Sequence, residues 1–444
     1  MNRPRILIAG GGATGVILAR QLLSIPHKQF KVTIVEPREE LGSGIAYSTN
    51  EPLHLLNTRV SVMSALHDKP DDFQAWLGTS GLGRDHDCDD ARSFAPRMLY
   101  RLYLQSLLAP WLESSGDGRL QIIQDRCVHM SAIKAGVVAT MASGRTELAT
   151  LGVLATGHAL AEPEATQIGL SPQADVLIIG TGLSMVDEVI SLRKAGHTGK
   201  ITALSRRGLL PRPHRLTTPV KLDLADIPLG AGVPFLLHWL RQTIRWTEAK
   251  GGDWRDVLDG LRPFNMAIWQ ALPQQSRASF VRHARTLWEV HRHRLPPKSD
   301  AIIRQAQADG QLTIIRGRVM GVDKVGDQYQ VTIKTRGNES RRIFGRVIDC
   351  MGIIRDLRAL AGNLPAALVE DGTARMDPLA IGLDIAPNCA IIARSGVISE
   401  QIFAAGPLTR AGLWEITAIP DIRQQCASLA QTLAEKLENI PQNA

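Results

Sequence analysis

Apolar positions along the chain fall into short unbroken runs and longer helical stripes, and their order repeats. The first run, Arg5 to Ala9, enters Gly10-Gly-Gly12-Ala-Thr-Gly15, and a helical stripe continues to about Ser24. Short apolar runs bounded by glycine read as buried parallel strands. A second run, Lys31 to Val35, ends at Glu36. After a long interval, β-type runs at Leu120–Ile123, Val137–Met141 and Leu151–Leu154 close on Ala155-Thr156-Gly157. The second half follows the same plan. Asp175–Ile179 enters Gly180-Thr-Gly182-Leu-Ser-Met185, a helix runs to about Ala195, and Lys200–Leu204 ends at Ser205-Arg206-Arg207-Gly208. Runs at Leu312–Ile315, Tyr329–Thr335 and Val347–Cys350 then close on Met351-Gly352. A last strand, Gln401–Ala405, leads to Gly406-Pro407, and a helix from about Pro420 to Leu437 follows.

Two strand–glycine turn–helix units, each followed by further strands, predict an α/β fold. The expectation is two Rossmann-like dinucleotide-binding domains, each a parallel sheet with a β-meander. In flavoproteins of this plan the last strand and helix return to the first domain. The expected division is therefore 1–172 plus 356–444 for an FAD domain, and 173–355 for an NAD(P)-binding-like domain. Within the second, about 217–297 reads as a helical insertion. It holds Trp239, Trp246, Trp254, Trp269 and Trp288, five of the eight tryptophans. That density predicts a tryptophan-rich helical core or a lid over a flavin.

Composition narrows the function classes. A chain of 444 residues suits two or three domains. With 44% apolar and 21% charged residues it is an ordinary globular composition. No run approaches the roughly 18–20 apolar residues of a membrane span, and the short run at Ile6–Ala9 leaves no room for a secretory leader. The expected location is cytoplasmic. The net charge of +8 is concentrated in Ser205–Arg215 and Arg277–Lys298. It suits ligands carrying phosphates or carboxylates; nucleic acid is an unlikely partner, because no binding module is recognisable. None of the five cysteines forms a close pair, which argues against structural zinc, a disulfide framework and dithiol reductase chemistry.

The glycine motifs carry the chemistry. Gly10 permits the tight turn, Gly12 lets backbone approach a pyrophosphate at a helix N-terminus, and Gly15 lets helix and strand pack closely. Glu36 lies 21 residues after Gly15. A carboxylate there accepts from ribose hydroxyls and repels a 2′-phosphate, so this site suits FAD or NAD and not NADP. In the second unit Gly180 and Gly182 keep the turn, but Met185 replaces the third glycine and should hold the helix further from its strand. Ser205, Arg206 and Arg207 replace the acid, as a 2′-phosphate requires, so NADPH is expected. The alternative is that Arg206 and Arg207 form a solvated face or grip substrate. The pair His291 and His293, two apart on a helix, points to different faces and makes a poor metal site. A basic helix surface is expected there, with a basic patch facing NADPH or substrate as the alternative. No metal is expected.

Two later motifs resemble those of flavin monooxygenases. Ala155-Thr156-Gly157-His158, with Pro163 following, resembles the turn by which the chain crosses between domains near FAD. Ile402-Phe-Ala-Ala-Gly406-Pro407 resembles the late FAD motif, with Pro407 in place of its usual aspartate. Across the chain, Gly44-Ile-Ala-Tyr47, His54-Leu-Leu-Asn57, Met63-Ser64, Asp72-Phe73-Gln-Ala-Trp76-Leu77, Phe94-x-Pro96-Arg97 with Tyr100, Trp288-x-x-His291-Arg-His293-Arg294 and Gly412-Leu-Trp414-Glu415 follow in order. This set resembles the YdhS-like FAD/NAD(P)-binding proteins, and more distantly the flavin-dependent N-hydroxylating and Baeyer–Villiger-type monooxygenases. The resemblance implies that Asn57 and Met63 contact the flavin and that the Cys127-Val128 backbone contacts adenine. It also implies that Trp414 passes the flavin's pyrimidine edge, with packing as the alternative. Arg97 is a candidate for binding a phosphate or substrate carboxylate, or else a structural ion pair. Asn57, Trp414 and Arg97 are thus the flavin-proximal candidates.

The expected function is an FAD-dependent oxidoreductase acting on a small molecule. The leading form is an NADPH-dependent monooxygenase working through a C4a-(hydro)peroxyflavin in a closed site. Such chemistry needs few catalytic side chains, in keeping with the absence of Ser/His/Asp or Cys/His constellations. The alternatives are a flavin dehydrogenase or oxidase that does not use NADPH directly, for which Met185 speaks, and a non-catalytic FAD-binding sensor, for which Pro407 and the basic insertion speak.

Overall fold

The computed structural model describes residues 3–26, 30–112, 116–158, 169–351 and 363–439. Pro163 and Gly352 lie outside these. The first apolar runs form β1 (Arg5–Ala9) and β2 (Lys31–Val35), joined by the helix Ala13–Ser24. β3 (Leu120–Ile123) pairs parallel to β2, and β7 (Leu151–Leu154) pairs parallel to β1 on its other side. β1, β2 and β7 are buried along almost their whole length, the signature of a sheet covered on both faces.

Between β3 and β7 the chain folds β4 (Cys127–Ile133), β5 (Gly136–Met141) and β6 (Thr146–Ala149) into an antiparallel meander. Far along the sequence, β16 (Ile398–Ala404) pairs parallel to β7, and β15 (Ala390–Ile392) pairs antiparallel to β16. The sheet order is therefore β15-β16-β7-β1-β2-β3. The helix Ile419–Glu438 packs on Ala13–Ser24 through Cys426, Leu429 and Leu433, in one core with Ile17 and Leu22.

The second unit repeats the plan. β8 (Val176–Ile179), β9 (Ile201–Ser205), β10 (Leu312–Arg316) and β14 (Arg346–Asp349) make a parallel sheet in the order β10-β9-β8-β14. A second meander, β11 (Arg318–Val325), β12 (Gln328–Thr335) and β13 (Asn338–Phe344), precedes β14. The helix Leu183–Lys194 joins β8 to β9. Between β9 and β10 lies the expected helical stretch, with helices at Val233–Ala249, Trp254–Leu261, Asn265–Ala271, Gln274–Ser279 and Arg285–Arg292. A π-helical turn, Phe280–Ala284, sits among them. No described helix is long and apolar enough to cross a membrane. The fold is mixed α/β with two Rossmann-like units, as the sequence pattern leads one to expect.

Candidate functional site

The N-terminal glycines are placed by sterics. Gly10 has φ of +111°, and a Cβ there would lie 2.5 Å from the Ala155 carbonyl oxygen. A Cβ at Gly15 would lie 1.9 Å from the Gly10 oxygen. Gly12 is the N-cap of Ala13–Ser24 and offers no side-chain cap, so the helix's first N–H groups remain for a ligand. The turn opens on a cleft of about 410 Å³ lined by Gly10, Gly12, Glu36, Cys127, Thr156, Gly157 and Pro407, among others. Glu36 is buried, and its carboxylate accepts from the N–H of Gly11 (2.7 Å) and of Arg38 (3.2 Å). Thr156 Oγ1 is buried in the cleft wall with no hydrogen-bond partner among the described residues. Gly406, with φ of +70°, brings the chain so near that a Cβ would lie 2.4 Å from Thr14 Oγ1. Its N–H donates to Gln425 Oε1 (2.7 Å).

The cleft fits the adenine nucleotide half of FAD. It has a bare helix N-terminus for a pyrophosphate, a carboxylate where a ribose sits, and an unpartnered hydroxyl. Further lining residues were not singled out from the sequence as site residues: Gly44, Tyr47, Arg126, His158 and Thr417. Gly44 has φ of +44° and packs on Gly12, so the run Gly42-Ser-Gly44 was the available signal. Val128 lies beside the cleft, at a register shift in β4 between Cys127 and His129, while Cys127 and Arg126 form its wall. Burial pushes the Cys127 thiol up to about 12 and lowers the His158 imidazole to about 4, with Arg410 adding to the latter effect. Both are neutral near pH 7.

The segment around Asn57, Met63 and Arg97 lies elsewhere, and does not appear in the wall of that cleft. Met63 is buried in the core beneath the first sheet. Arg97 pairs with Asp187 of the helix Leu183–Lys194 (2.8 Å), and its Nε–H donates to the Leu55 carbonyl (3.2 Å). His54 Nε2 lies 3.0 Å from the Asp187 carbonyl oxygen and 2.9 Å from Ser191 Oγ. His214 Nε2–H donates to the Asn57 carbonyl (3.0 Å). These residues form a polar seam between the first and second units. Of the two readings of Arg97, the ion pair is the one present in the structure.

In the second unit Gly180 repeats Gly10, with φ of +122° and a hypothetical Cβ 2.5 Å from the Cys350 carbonyl oxygen. The turn is looser beyond it. A Cβ at Gly182 would meet nothing within 4 Å, and Met185, fully buried, fills the space that Gly15 leaves closed. Ser205 Oγ accepts from Thr181 Oγ1 (2.9 Å) and from the Gly208 N–H (3.0 Å), fixing the turn after β9. Arg206 and Arg207 line a cavity of about 940 Å³ together with Arg282, Arg285, Arg316 and Arg318. Six arginines and no acidic residue give this wall a positive charge that suits an anion. Arg207 Nη2–H also donates to the His283 carbonyl (2.6 Å).

The stretch Trp288–Arg294 corrects one expectation. It is not a solvated basic surface. Arg294 is buried and makes a two-pronged pair with Asp259 (3.0 and 2.8 Å), and Arg292 pairs with buried Glu415 (3.0 Å). Trp414 is likewise buried, stacked on Trp269 with ring centres 4.7 Å apart. Among the described residues no group of His, Cys, Asp and Glu could hold a metal ion.

Residues 7–159 match a family described as FAD-NAD(P)-binding. No curated protein matches the chain. Solved structures do match in fold. A reduced ornithine hydroxylase from Pseudomonas aeruginosa aligns with TM-score 0.63 at 12% identity, over 98% of this chain and 100% of that one. An ornithine N-hydroxylase from Kutzneria sp. 744, holding reduced FAD, NADP⁺ and L-ornithine, aligns with TM-score 0.64 at 12% identity, over 98% and 99%. A bacillithiol disulfide reductase from Staphylococcus aureus aligns with TM-score 0.54 at 13% identity, over 98% and 99%. The architecture is thus that of two-dinucleotide-domain flavoenzymes.

Proposed function

We propose that this protein is an FAD-dependent, NADPH-using oxidoreductase, most specifically a monooxygenase of small molecules of the YdhS-like kind. In this reading the FAD domain comprises 1–172 and 356–444 and the NADPH domain 173–355, with the helical insertion at about 217–297. FAD would lie along Gly10, Gly12, Glu36, Thr156, Gly157 and Pro407, and supply two-electron chemistry and reaction with O₂ when bound. NADPH would lie along Gly180 and Gly182 with its 2′-phosphate among Arg206, Arg207 and their neighbours. The observation that carries the reading is the contrast between the two turns: one ends on a buried carboxylate, the other on a cavity walled by six arginines. That contrast separates a nucleotide lacking a 2′-phosphate from one bearing it. The five cysteines are free, and none lies in a Cys-x-x-Cys pair. This leaves oxygen as the electron acceptor better supported than a protein dithiol.

A flavin dehydrogenase or oxidase with another electron donor is the second reading, supported by Met185 and the open turn at Gly182. The test is bleaching of the flavin's blue absorption band by NADPH and by NADH, with O₂ uptake followed in parallel. NADPH should bleach the flavin much faster than NADH, and Arg206→Ala with Arg207→Ala should erase that preference, raising the NADPH KM by about tenfold or more for the loss of a charged contact. No bleaching by NADPH would remove the reading.

A further inference from the structure

The arginine-walled cavity of the second unit and the dinucleotide cleft of the first share no lining residue. Two chains of contacts nevertheless join them. The first is ionic. Arg285 lines the cavity, and its Nε lies 3.4 Å from Glu289 Oε1, one helical turn further along. The same oxygen accepts from Arg410 Nη2–H (3.3 Å). One carboxylate oxygen is thus shared between a guanidinium in the cavity wall and one outside it. Arg410 is buried, its Nε has no hydrogen-bond partner among the described residues, and its guanidinium lies 4.8 Å from the Trp414 ring centre. Its charge also reaches His158, which lines the dinucleotide cleft.

The second chain is apolar. Ile381, whose N–H donates to Asp377 Oδ2 (2.7 Å), lines the cavity and packs in one cluster with Ala411 and Trp414. Both chains end on the segment from Arg410 to Trp414. Three residues further on, Thr417 lines the cleft, its N–H donating to the Glu415 carbonyl (2.7 Å).

Sharing one oxygen makes the ionic chain responsive to an anion. Neither arginine has a two-pronged pair with Glu289, the stronger arrangement for a guanidinium. A phosphate monoester carries about −1.5 to −2 charge near pH 7 and three strong acceptor oxygens. With such a group in the cavity, Arg285 turns to the phosphate and Glu289 is left to Arg410. Arg410 still has its Nε–H to give and can close on the carboxylate with two bonds.

We propose that Glu289 is a positioning residue that couples the two sites: an anion bound in the arginine cavity draws Arg285 off Glu289, lets Arg410 close on it, and so changes the surroundings of the flavin. The coupling rests on the FAD and NADPH reading above. Its effector is the 2′-phosphate, and the nicotinamide takes no part.

The experiment uses flavin-loaded protein and two probes that lack nicotinamide, 2′,5′-ADP and 5′-ADP. Calorimetry reads their binding, and the flavin's visible difference spectrum reads the coupling. 2′,5′-ADP should bind about tenfold tighter or more, as a charged contact allows. It should shift the flavin spectrum saturably, and 5′-ADP should not. Glu289→Gln keeps the shape and removes the charge for which the two arginines compete. It should bind 2′,5′-ADP at least as tightly as wild type yet lose most of the flavin shift, whereas a residue that only held the fold would lower both together. Glu289→Asp keeps a carboxylate and should retain the shift. Tight 2′,5′-ADP binding without a flavin shift in wild type, an equal shift in Glu289→Gln, or a shift lost as fully in Glu289→Asp would overturn the coupling and leave the nucleotide reading standing. Equal binding of the two probes would remove the NADPH reading, and the coupling with it.

Discussion

Gly15 shows how much one absent carbon decides. A Cβ at that position would fall 1.9 Å from the Gly10 oxygen, inside any tolerable contact, whereas a Cβ at Gly182 would touch nothing. Gly15→Ala should therefore cost about 3 kcal/mol or more, because neither the turn nor the helix can give way. It should also yield protein purified without FAD. Gly182→Ala should keep the wild-type melting temperature. Thermal melts and the ratio of flavin to protein absorbance check both, and a Gly15→Ala protein with normal Tm and full flavin would refute the steric argument. Glu36 works in the same turn. By accepting from the Gly11 and Arg38 amides it is held rigid before any ribose arrives, which lowers the entropy lost on binding.

At the scale of elements, the seam decides how the two units meet. Arg97, His54 and Asn57 come from loops and helix starts of the first unit, yet their partners, Asp187, Ser191 and His214, all lie beyond β8. Arg97→Ala should lower stability by about 1 kcal/mol, the range of a partly exposed ion pair. It should slow flavin reduction by NADPH and leave FAD affinity unchanged. Weaker FAD binding in that variant would put Arg97 at the flavin instead of at the seam. The seam was hidden in the sequence because it is made by pairs more than eighty positions apart. The parallel strands were legible because most are buried apolar runs: β1, β2 and β7 lie where the pattern puts them, and so does the less buried β3, marked by Leu120, Ile122 and Ile123. β11 and β13 were not: β13 is mostly exposed and polar, while β11 carries Met320, Val322 and Val325 exposed, so neither shows the one-sided apolar alternation by which strands are read. The glycine turns and Glu36 were legible for a steric and electrostatic reason that acts locally. The partners of Arg292 and Arg294 were not, because a buried arginine and an exposed one have the same letter, and only Asp259 and Glu415, folded beside them, tell them apart.

For the molecule as a whole, acid should be destabilising. His158, His214 and His293 each have their imidazole pushed down from 6.5 to about 4, in every case chiefly by burial. The unfolded chain then binds more protons than the folded one between those values, so stability falls as pH drops through about 6.5 toward 4. Around His293 the charged neighbours are Arg292, Arg410, Arg262 and Glu415. Glu415 is held low by Arg292 against its burial and adds to acid loss, while Asp377 and Asp421, raised by burial, work against it. The melting temperature should fall between about pH 7 and pH 5, and His293→Asn should flatten that decline. An unchanged slope in the variant would show that His293 titrates normally.

The sheet order carries a consequence for how the protein is made. β1 and β2 emerge early from a ribosome, but β16 and the helix against Ala13–Ser24 are translated some 390 positions later. Until then β7 has an open edge and the helix beneath β1 has bare leucines. Everything needed for the second sheet, β8 to β14, is by contrast contiguous and available sooner. Vectorial synthesis thus favours completion of the β8–β14 unit before the first one, and leaves the cleft at Gly10 to mature after it. A nascent chain halted before Ile398 should accordingly protect residues 176–349 from protease while Arg5–Val35 is still cut.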